Sequence, residues 1–220
     1  MSAKKLYDAL IASGIVGATG ETNFELNGVK TRVNDSSIVG NVIQEWLQSF
    51  MDEKGIAYRL LPNTQKFPDF LMNPDNDHDG LLEVKCFKKD PNFDVANFIA
   101  YCTSLTTSPY RLDADYLIFK YKENETGIII EKIWLKKVWE ICSASKRTTV
   151  KIQIKQDSPY AIRPGNWMST RTEYPVFATR KAFVKALEKV IDSNPLANHI
   201  QRGWFQKIQK LYTEQTGKEL

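Results

Sequence analysis

A short apolar segment that carries two opposite charges constrains this chain most strongly. Residues 80–87, with the sequence GLLEVKCF, follow a turn-rich loop and predict a buried strand. Side chains alternate between the two faces of a strand. Glu83 and Lys85 therefore project to one face, while their apolar neighbours point into the core. A carboxylate and an ammonium stand together on an otherwise apolar strand.

A second carboxylate, Asp69, begins the predicted strand that precedes this one. Residues 69–72 predict a strand, and the loop NPDNDHDG joins it to the segment that contains Glu83. A hairpin would fold the two strands side by side and bring the two carboxylates together. Two convergent carboxylates form a site of hard oxygen ligands, which suits Mg²⁺. Lys85 beside them can orient an attacking water or stabilise the charge of a phosphate.

Pro68-Asp69 followed by Glu83-Val84-Lys85 resembles the motif of the PD-(D/E)XK nucleases. The resemblance implies a restriction-endonuclease-like fold and Mg²⁺-dependent hydrolysis of phosphodiester bonds, with Asp69, Glu83 and Lys85 as catalytic residues. The compact size and the absence of helicase or P-loop sequence narrow the resemblance to the type II restriction endonucleases. These pair as homodimers on double-stranded DNA, and a cognate DNA methyltransferase is the expected genetic partner.

Many members of this superfamily add an acidic residue from the helix before the motif, which makes Glu45 the candidate. Following the capping-type residues Asn34, Asp35 and Ser36, apolar residues recur at helical spacing: Val39, Val42, Ile43, Trp46, Leu47 and Phe50. Glu45 lies at the margin of this stripe, and we expect it to lean towards Asp69 as an auxiliary metal ligand. Gln44 is expected to point further from the apolar face. An exposed surface glutamate is the alternative for Glu45.

The distribution of charge points to a polyanionic partner. The chain has 30 Lys/Arg and 26 Asp/Glu, but residues 146–220 hold 14 of the basic residues and only 6 of the acidic ones. Contacts to phosphates supply most of the sequence-independent affinity of proteins for nucleic acid. We therefore expect the basic C-terminal third to contribute contacts to DNA, with a solvated surface as the alternative.

Residue chemistry selects candidates for these contacts. A loop with the sequence AIRPGNWMSTR carries Arg163, Asn166 and Arg171, and these residue types suit the reading of base edges in the major groove. Lys88 and Lys89 directly follow the predicted catalytic strand and suit phosphate contacts.

The tryptophans fall into two groups. Trp46, Trp134 and Trp139 fit amphipathic stripes and are expected in the core. Trp167 and Trp204 lie in basic, polar surroundings, where contact with nucleic acid is one of their possible roles.

The order of the predicted elements favours a mixed α/β fold. Further helices are expected over residues 4–12, 94–105, 135–141, 180–191 and 201–213, and further strands over 57–61, 115–121, 127–133 and 148–154, with 156–175 as a loop. Asn27-Gly28 suits a two-residue hairpin turn. This order predicts a central mixed β-sheet flanked by helices, in a single domain spanning residues 1–220. Neither GxGxxG nor GxxxxGK[ST] is present to support a doubly wound nucleotide-binding fold.

Several other classes of protein are disfavoured. The chain has no run of 18 apolar residues and no secretory signal, so we expect a cytoplasmic protein without a membrane span. Three cysteines without CxxC spacing, and the separate histidines His78 and His199, argue against a disulfide framework and a zinc site. Residues 75–80 resemble the opening of an EF-hand loop. Its twelfth position is Cys86, however, so a polar turn is expected there.

Two further functions are compatible with the same residues. The catalytic core could belong to a structure-specific nuclease of repair or recombination, or the fold could serve as a non-catalytic DNA-binding protein. The complete set of two acids and a lysine favours catalysis. A type II site-specific deoxyribonuclease of a restriction–modification system is the predicted function.

Overall fold

The computed structural model describes residues 2–21, 23–32, 36–63, 67–125, 127–169, 171–194, 197, 200 and 203–220. The chain divides into two compact units, one comprising Met1–Asp90 with Ala114–Lys136 and the other Pro91–Asp113 with Lys137–Leu220. The expected capping residues Asn34 and Asp35, and His199, lie outside the described residues. The expectation of a single domain over the whole chain stays a prediction.

The first unit combines helices with a five-stranded sheet and a separate hairpin. Its elements are α1 (Ala3–Ala12), β1 (Thr19–Glu21), β2 (Asn23–Leu26), β3 (Val29–Arg32), α2 (Ser36–Glu53), β4 (Phe70–Leu71), β5 (Leu81–Phe87), β7 (Asp115–Glu123) and β8 (Gly127–Lys137). The sheet has the order β1-β8-β7-β5-β4. Strand β5 runs parallel to β7 and antiparallel to β4, so the sheet is mixed, as predicted.

Helices α1 and α2 pack against this sheet. Their buried side chains form one hydrophobic cluster with side chains of β4, β5, β7 and β8, including Leu6, Leu10, Ile43, Leu47, Leu82, Val84, Leu117 and Phe119. Burial of such side chains is the main favourable term in folding. Because Leu82 and Val84 point into this cluster, the alternate residues Glu83 and Lys85 project to the opposite face of β5.

The predicted hairpin is present as β2 and β3. Asn27 and Gly28 form its turn with φ angles of 50° and 77°. A type I′ turn requires positive φ at both central residues, which asparagine and glycine tolerate. These two strands form a sheet of their own.

The second unit contains a three-stranded antiparallel sheet, three α-helices and two short 3₁₀ helices among its described residues. Its elements are β6 (Ala96–Asn97), α3 (Phe98–Leu105), a 3₁₀ helix (Pro109–Asp113), a second 3₁₀ helix (Val138–Glu140), β9 (Ile152–Lys155), β10 (Ser158–Ile162), α4 (Arg180–Ser193) and α5 (Trp204–Thr216). The strand order is β6-β10-β9. No helix in the described parts of either unit has the combination of length and hydrophobicity that crossing a bilayer requires.

Strand pairing overrides several local predictions. The predicted helix over residues 135–141 is wrong, because β8 continues to Lys137 before the short 3₁₀ helix begins. The helix expected from Asp94 begins only at Phe98, since residues 96–97 pair with β10; Asn97 caps it by accepting a hydrogen bond from the Ala100 N–H. β10 lies inside the segment predicted to be a loop, residues 156–175. The strand expected over 57–61 is reduced to one bridge at Arg59.

Candidate active site

Asp69 lies directly before β4, the outer strand of the five-stranded sheet beside β5. β4 pairs antiparallel with β5, with Phe70 opposite Leu82. One residue further along, the same register puts Asp69 opposite Glu83. Residues opposite each other in an antiparallel pair have Cβ atoms about 5 Å apart. The hairpin predicted from the sequence therefore brings the two carboxylates together.

The Asp69 carboxylate is oriented by the backbone of the neighbouring strand. Its Oδ2 atom accepts a hydrogen bond of 2.7 Å from the Val84 N–H. Because β4 has only two residues, this carboxylate satisfies a donor of β5 that the short strand does not reach. The bond fixes where Asp69 can present its negative charge.

Glu83 and Lys85 form a close pair on the same face of β5. The Lys85 Nζ donates a hydrogen bond of 2.7 Å to Glu83 Oε1, and Glu83 is only 9% exposed. The other oxygen, Glu83 Oε2, is buried and has no hydrogen-bond partner within the described part of the chain. A buried carboxylate oxygen without a partner is unfavourable. The pair therefore leaves one buried carboxylate oxygen without a donor from the described residues.

The electrostatics of Asp69 reflect its burial first and the neighbouring negative charge second. Burial, and then the negative charge of Glu83, raise the pKa of Asp69 to about 7. The Val84 N–H, the Lys85 ammonium and a side-chain hydrogen bond from Gln44 act in the opposite direction and lower this pKa. One lysine beside two carboxylates does not balance their charge.

Gln44, and not Glu45, is the α2 residue that contacts Asp69. The Gln44 side chain is half-buried and hydrogen-bonds Asp69, whereas Glu45 is exposed. The prediction that Gln44 points further from the apolar face than Glu45 is therefore wrong. The expected approach of Glu45 to Asp69 does not match its exposed position. Gln44 is the site residue that the sequence analysis missed. Its spacing of three residues from the buried Leu47 was the available signal.

The donor set fits a Mg²⁺ ion. Asp69 and Glu83 offer two carboxylates, and Mg²⁺ typically takes one or two carboxylates while keeping waters or substrate phosphates as its other ligands. A cation would supply the partner that Glu83 Oε2 lacks and would offset the repulsion that raises the pKa of Asp69. In the described residues, no group of three or more His, Cys, Asp or Glu side chains could hold a metal. The two carboxylates therefore suit a cation that takes its remaining ligands from water or from the phosphate of a substrate.

Comparisons with known proteins identify the family of the chain. The family model of the NgoBV restriction endonuclease matches residues 1–220. The chain belongs to this family. It is similar to the type II restriction enzyme NlaIV of Neisseria lactamica, with 34% identity over 100% of the chain and 93% of the relative. The type II restriction enzyme NgoBV of Neisseria gonorrhoeae is 34% identical over 64% of the chain and 82% of its own length.

A solved structure extends the similarity to the fold. The NlaIV restriction endonuclease superposes with a TM-score of 0.92 at 34% identity, covering 100% of this chain and 92% of the other. The predicted resemblance to a type II restriction endonuclease is confirmed by the family, and the predicted mixed α/β fold with a central mixed sheet flanked by helices is confirmed by this match and by the strand order.

In this member of the NgoBV restriction endonuclease family, the three residues of the expected recognition loop differ in their surroundings. The Arg163 guanidinium pairs with the Asp94 carboxylate and donates to the Asn92 carbonyl. Asn166 is exposed, and its side-chain oxygen accepts a hydrogen bond from a backbone N–H two residues later. Arg171 is exposed. A base contact by Arg163 would have to replace its contacts within the protein.

The other basic candidates lie just beyond β5. Lys88 is paired with Glu123 at 2.6 Å, and Lys89 is exposed. Trp204, for which contact with nucleic acid is one predicted role, is buried, and its Nε1 donates to the Cys102 carbonyl. That role of Trp204 is excluded by its burial.

The acidic loop after β4 is a polar turn. Asp77 pairs with Arg59, and the Asn76 side chain accepts a hydrogen bond from the His78 N–H at 2.7 Å. Gly80 ends the loop with a φ of +71°, and a Cβ there would lie 2.7 Å from the Asn73 nitrogen. The expected polar turn is confirmed.

The three cysteines are free thiols.

Proposed function

We propose that Asp69, Glu83 and Lys85 are the catalytic centre of a type II site-specific deoxyribonuclease, which hydrolyses phosphodiester bonds of double-stranded DNA with Mg²⁺. The observation that carries the proposal is the incomplete pair at Glu83. Its Oε1 atom is bound by Lys85, while its buried Oε2 atom and the neighbouring Asp69 share an uncompensated negative charge. A site of this kind is suited to a divalent cation and a phosphate.

Asp69 and Glu83 would hold the ion. When bound, Mg²⁺ acts as a Lewis acid that neutralises charge on the scissile phosphate and makes water a stronger nucleophile at neutral pH. The Val84 N–H and the Gln44 side chain keep the Asp69 carboxylate oriented. Gln44 is neutral, so it can position Asp69 without adding to the negative charge of the site.

Lys85 acts on the reacting atoms directly. An ammonium has three N–H donors, so the Lys85 Nζ can hold Glu83 and also donate to the attacking water or to a non-bridging phosphate oxygen. Negative charge on those oxygens grows as the water oxygen attacks phosphorus and the bond to the leaving oxygen breaks. Donors that are already in place stabilise such charge in the transition state more than in the ground state.

DNA recognition and the assembly complete the proposal. Arg163, Asn166 and Arg171 would read bases, and Lys88 and Lys89 would hold phosphates. A homodimer would present one active site to each strand of a two-fold symmetric sequence. A cognate DNA methyltransferase would protect the host, and a cytoplasmic location would bring the enzyme to DNA in a compartment where its free thiols stay reduced.

Plasmid cleavage by the purified chain tests the function. With Mg²⁺ we expect long duplex DNA to give discrete fragments, and with excess EDTA we expect no cleavage. Branched DNA without the recognition sequence should remain intact, which separates restriction from a repair activity. Cleavage that persists in EDTA, or that degrades all DNA to a continuous smear, would contradict the proposal.

Binding of the ion is measurable without catalysis. Mg²⁺ should raise the thermal unfolding temperature of the native chain, because a ligand that binds only the folded state stabilises it. The Glu83→Gln variant should lose this shift. An equal shift in both proteins would mean that the ion binds elsewhere.

A further inference from the structure

The exposed apolar side chains of this chain are concentrated in one segment. Among the described residues, eleven large hydrophobic side chains are exposed, and eight of them lie between residues 11 and 46. Isolated exposed apolar residues are normal on protein surfaces, but contiguous patches mark interaction sites. Two structures in this segment carry most of the exposed apolar surface.

The first is the β2–β3 hairpin, residues 23–32, which we call the arm. Its strand register pairs Phe24 with Thr31 and Leu26 with Val29, so these side chains share one face. Phe24, Leu26 and Val29 are 54%, 67% and 71% exposed. The arm therefore has an apolar face in water, while Glu25 and Lys30 pair on the opposite face. A two-stranded hairpin is at best marginally stable without packing on such a face.

The second is a groove beside α2, which we call the α2 groove. Ile38, Val42 and Trp46 recur at every fourth residue of the helix and are about 40% exposed, so they form a stripe along one side. Val42 and Trp46 line a pocket of about 290 Å³ together with Ile15, Ile128 and Ile130. The groove is concave and apolar, whereas the arm is convex and apolar.

We propose that the arm of one chain packs into the α2 groove of a second copy, and that the contact is reciprocal. A two-fold dimer uses the same surface on both chains, and a chain that carries both a projection and a matching groove supplies both halves of such an interface. The proposal deepens the proposed function, because it names the surface of the dimer included there and rests on that dimer.

The size of the exposed surface agrees with a dimer. At roughly 170 Å² for a fully exposed side chain of this size, the arm and the stripe together expose roughly 500 Å² of apolar side chain per chain. A standard interface buries about 800 Å² per partner, of which somewhat more than half is apolar. The two surfaces therefore provide the apolar area that one stable dimer needs.

The charge of the arm favours protein over DNA as the occupant. Residues 23–32 hold one acidic and two basic residues, and the exposed face consists of apolar side chains and a threonine. A ribbon that bound DNA would gain its affinity from an excess of Lys and Arg facing the phosphates. The arm lacks such an excess.

Analytical ultracentrifugation tests the proposal. At about 10 μM the native chain of 25.2 kDa should sediment with twice that mass. The double variant Leu26→Glu, Val29→Glu places two charges in the interface and should sediment as a single chain, with a dissociation constant raised at least about 100-fold. Ile154→Glu is the matched control, because Ile154 is 52% exposed on β9 of the other unit, and this variant should remain a dimer. Far-ultraviolet circular dichroism should be the same for all three proteins.

A native chain that remains a single chain, or a double variant that remains a dimer, would overturn the proposal. Loss of DNA affinity by the double variant with no change of mass would show that the arm contacts DNA and would overturn it as well. Metal-dependent cleavage is measured separately on the same proteins. A native chain that is monomeric but still nicks plasmid with Mg²⁺ would overturn the proposed dimer surface and leave the catalytic proposal intact. A native dimer without any cleavage would overturn the catalytic proposal and leave the dimer surface intact.

Oxidative cross-linking tests the reciprocal arrangement. Chains with Leu26→Cys and chains with Val42→Cys should form a disulfide-linked dimer when mixed under oxidising conditions. Neither variant alone should do so beyond the level of the unsubstituted chain, whose own cysteines are buried or half-buried. Self-linking of the Leu26→Cys chain, without linking in the mixture, would mean that the arm meets another arm and would overturn the assignment of the groove.

Discussion

Each unit of the chain contains a cluster built on acidic side chains, and the two clusters are balanced differently. In the second unit, Asp113 accepts hydrogen bonds of 2.9 Å from the Tyr212 hydroxyl to both oxygens, and it pairs with Arg180 and Lys218. The Arg180 guanidinium also lies 4.5 Å from the centre of the Tyr212 ring and 4.8 Å from that of Trp139. One carboxylate therefore has two cations and a hydroxyl.

The cluster in the first unit has the opposite balance. Asp69 and Glu83 share one ammonium, that of Lys85, and one buried oxygen of Glu83 lacks a partner in the described part of the chain. Burial and the charge of Glu83 raise the pKa of Asp69. In the second unit, by contrast, the shifted pKa is that of the hydrogen-bond donor. Burial and Asp113 raise the pKa of Tyr212 to about 12, so the tyrosine stays protonated and donates a hydrogen bond to Asp113.

This difference motivates the proposal that the cluster in the first unit binds a ligand, whereas the cluster in the second unit stabilises the fold. A carboxylate surrounded by donors has little to gain from a further cation. A pair of carboxylates with too few donors is less stable by itself and gains from binding one.

Removing the single ammonium of the first cluster should have the largest effect. We expect Lys85→Ala to lower kcat/KM for plasmid cleavage at least about 1,000-fold, because the transition-state charge loses a donor that is already in place. Affinity for DNA in a gel-shift assay should change less than about threefold. Lys218→Ala, which removes a lysine from the other cluster, is the control and should cleave normally. Undiminished cleavage by Lys85→Ala would show that Lys85 is not catalytic.

The charge of Asp69 should make the metal-free chain less stable as pH rises. The pKa of Asp69 is higher in the folded chain than in the unfolded chain, so the stability this group contributes is fully present below pH 4 and is lost as pH rises through about 7. Asp69→Asn cannot titrate. The free energy of unfolding of the native chain minus that of the variant should fall by the order of 3 kcal/mol between pH 4.5 and pH 7.5.

Urea unfolding in EDTA at both pH values measures this difference. Titrating groups far from Asp69 contribute equally to both proteins and cancel, so the difference reports Asp69 together with its coupling to Glu83 and Lys85. A difference that stays constant across this range, or that grows with pH, would contradict the description of Asp69 as a buried carboxylate beside another carboxylate.

Neutralising the carboxylate of the balanced cluster should affect stability and spare catalysis. We expect Asp113→Asn to lower the free energy of unfolding by about 2–3 kcal/mol, because Arg180 is only 18% exposed and would lose its counter-charge. Lys218, which is 64% exposed, contributes less, and Lys218→Ala should cost below about 1 kcal/mol. Cleavage by Asp113→Asn at 25 °C should stay within about twofold of normal. A loss of activity without a loss of stability would assign this cluster a functional role.

The smallest expected effect concerns the two neighbours on α2. We expect Gln44→Ala to lower kcat/KM about tenfold, because Asp69 loses a hydrogen bond that orients it. Glu45→Ala should stay within about twofold, because Glu45 is exposed. Gln44→Glu is a further test, because it places a third carboxylate beside Asp69. The concentration of Mg²⁺ needed for half-maximal cleavage should rise if this carboxylate adds repulsion. It should fall if the carboxylate adds a metal ligand. Equal losses of kcat/KM in Gln44→Ala and Glu45→Ala would contradict the assignment of Gln44 as the residue that orients Asp69.

The centre of the candidate site was predictable because its signal is local. Alternation along β5 separates Glu83 and Lys85 from Leu82 and Val84 whatever the rest of the chain does. A short loop between two apolar segments makes a hairpin the simplest connection, and this brings Asp69 to Glu83. Neither inference requires knowledge of what covers the sheet.

The details of α2 were not predictable in the same way. Its apolar stripe is broader than the face that the sheet buries. The structure buries Ile43, Leu47 and Met51 and leaves Val42 and Trp46 about 40% exposed. This rotation brings Gln44 to Asp69 and turns Glu45 away. Periodicity identifies an amphipathic helix, but packing decides which part of a wide stripe is buried.

By itself, the sequence determined the hairpin that brings Asp69 beside Glu83, the turn at Asn27-Gly28 and the mixed order of helices and strands. Each of these depends on residues that are close along the chain. Only the tertiary structure decided that residues 135–137 extend a strand, that Trp204 is buried while Trp46 is exposed, and that Gln44 contacts Asp69. These features depend on contacts between distant segments, whose free energies outweigh the small local preferences of a few residues.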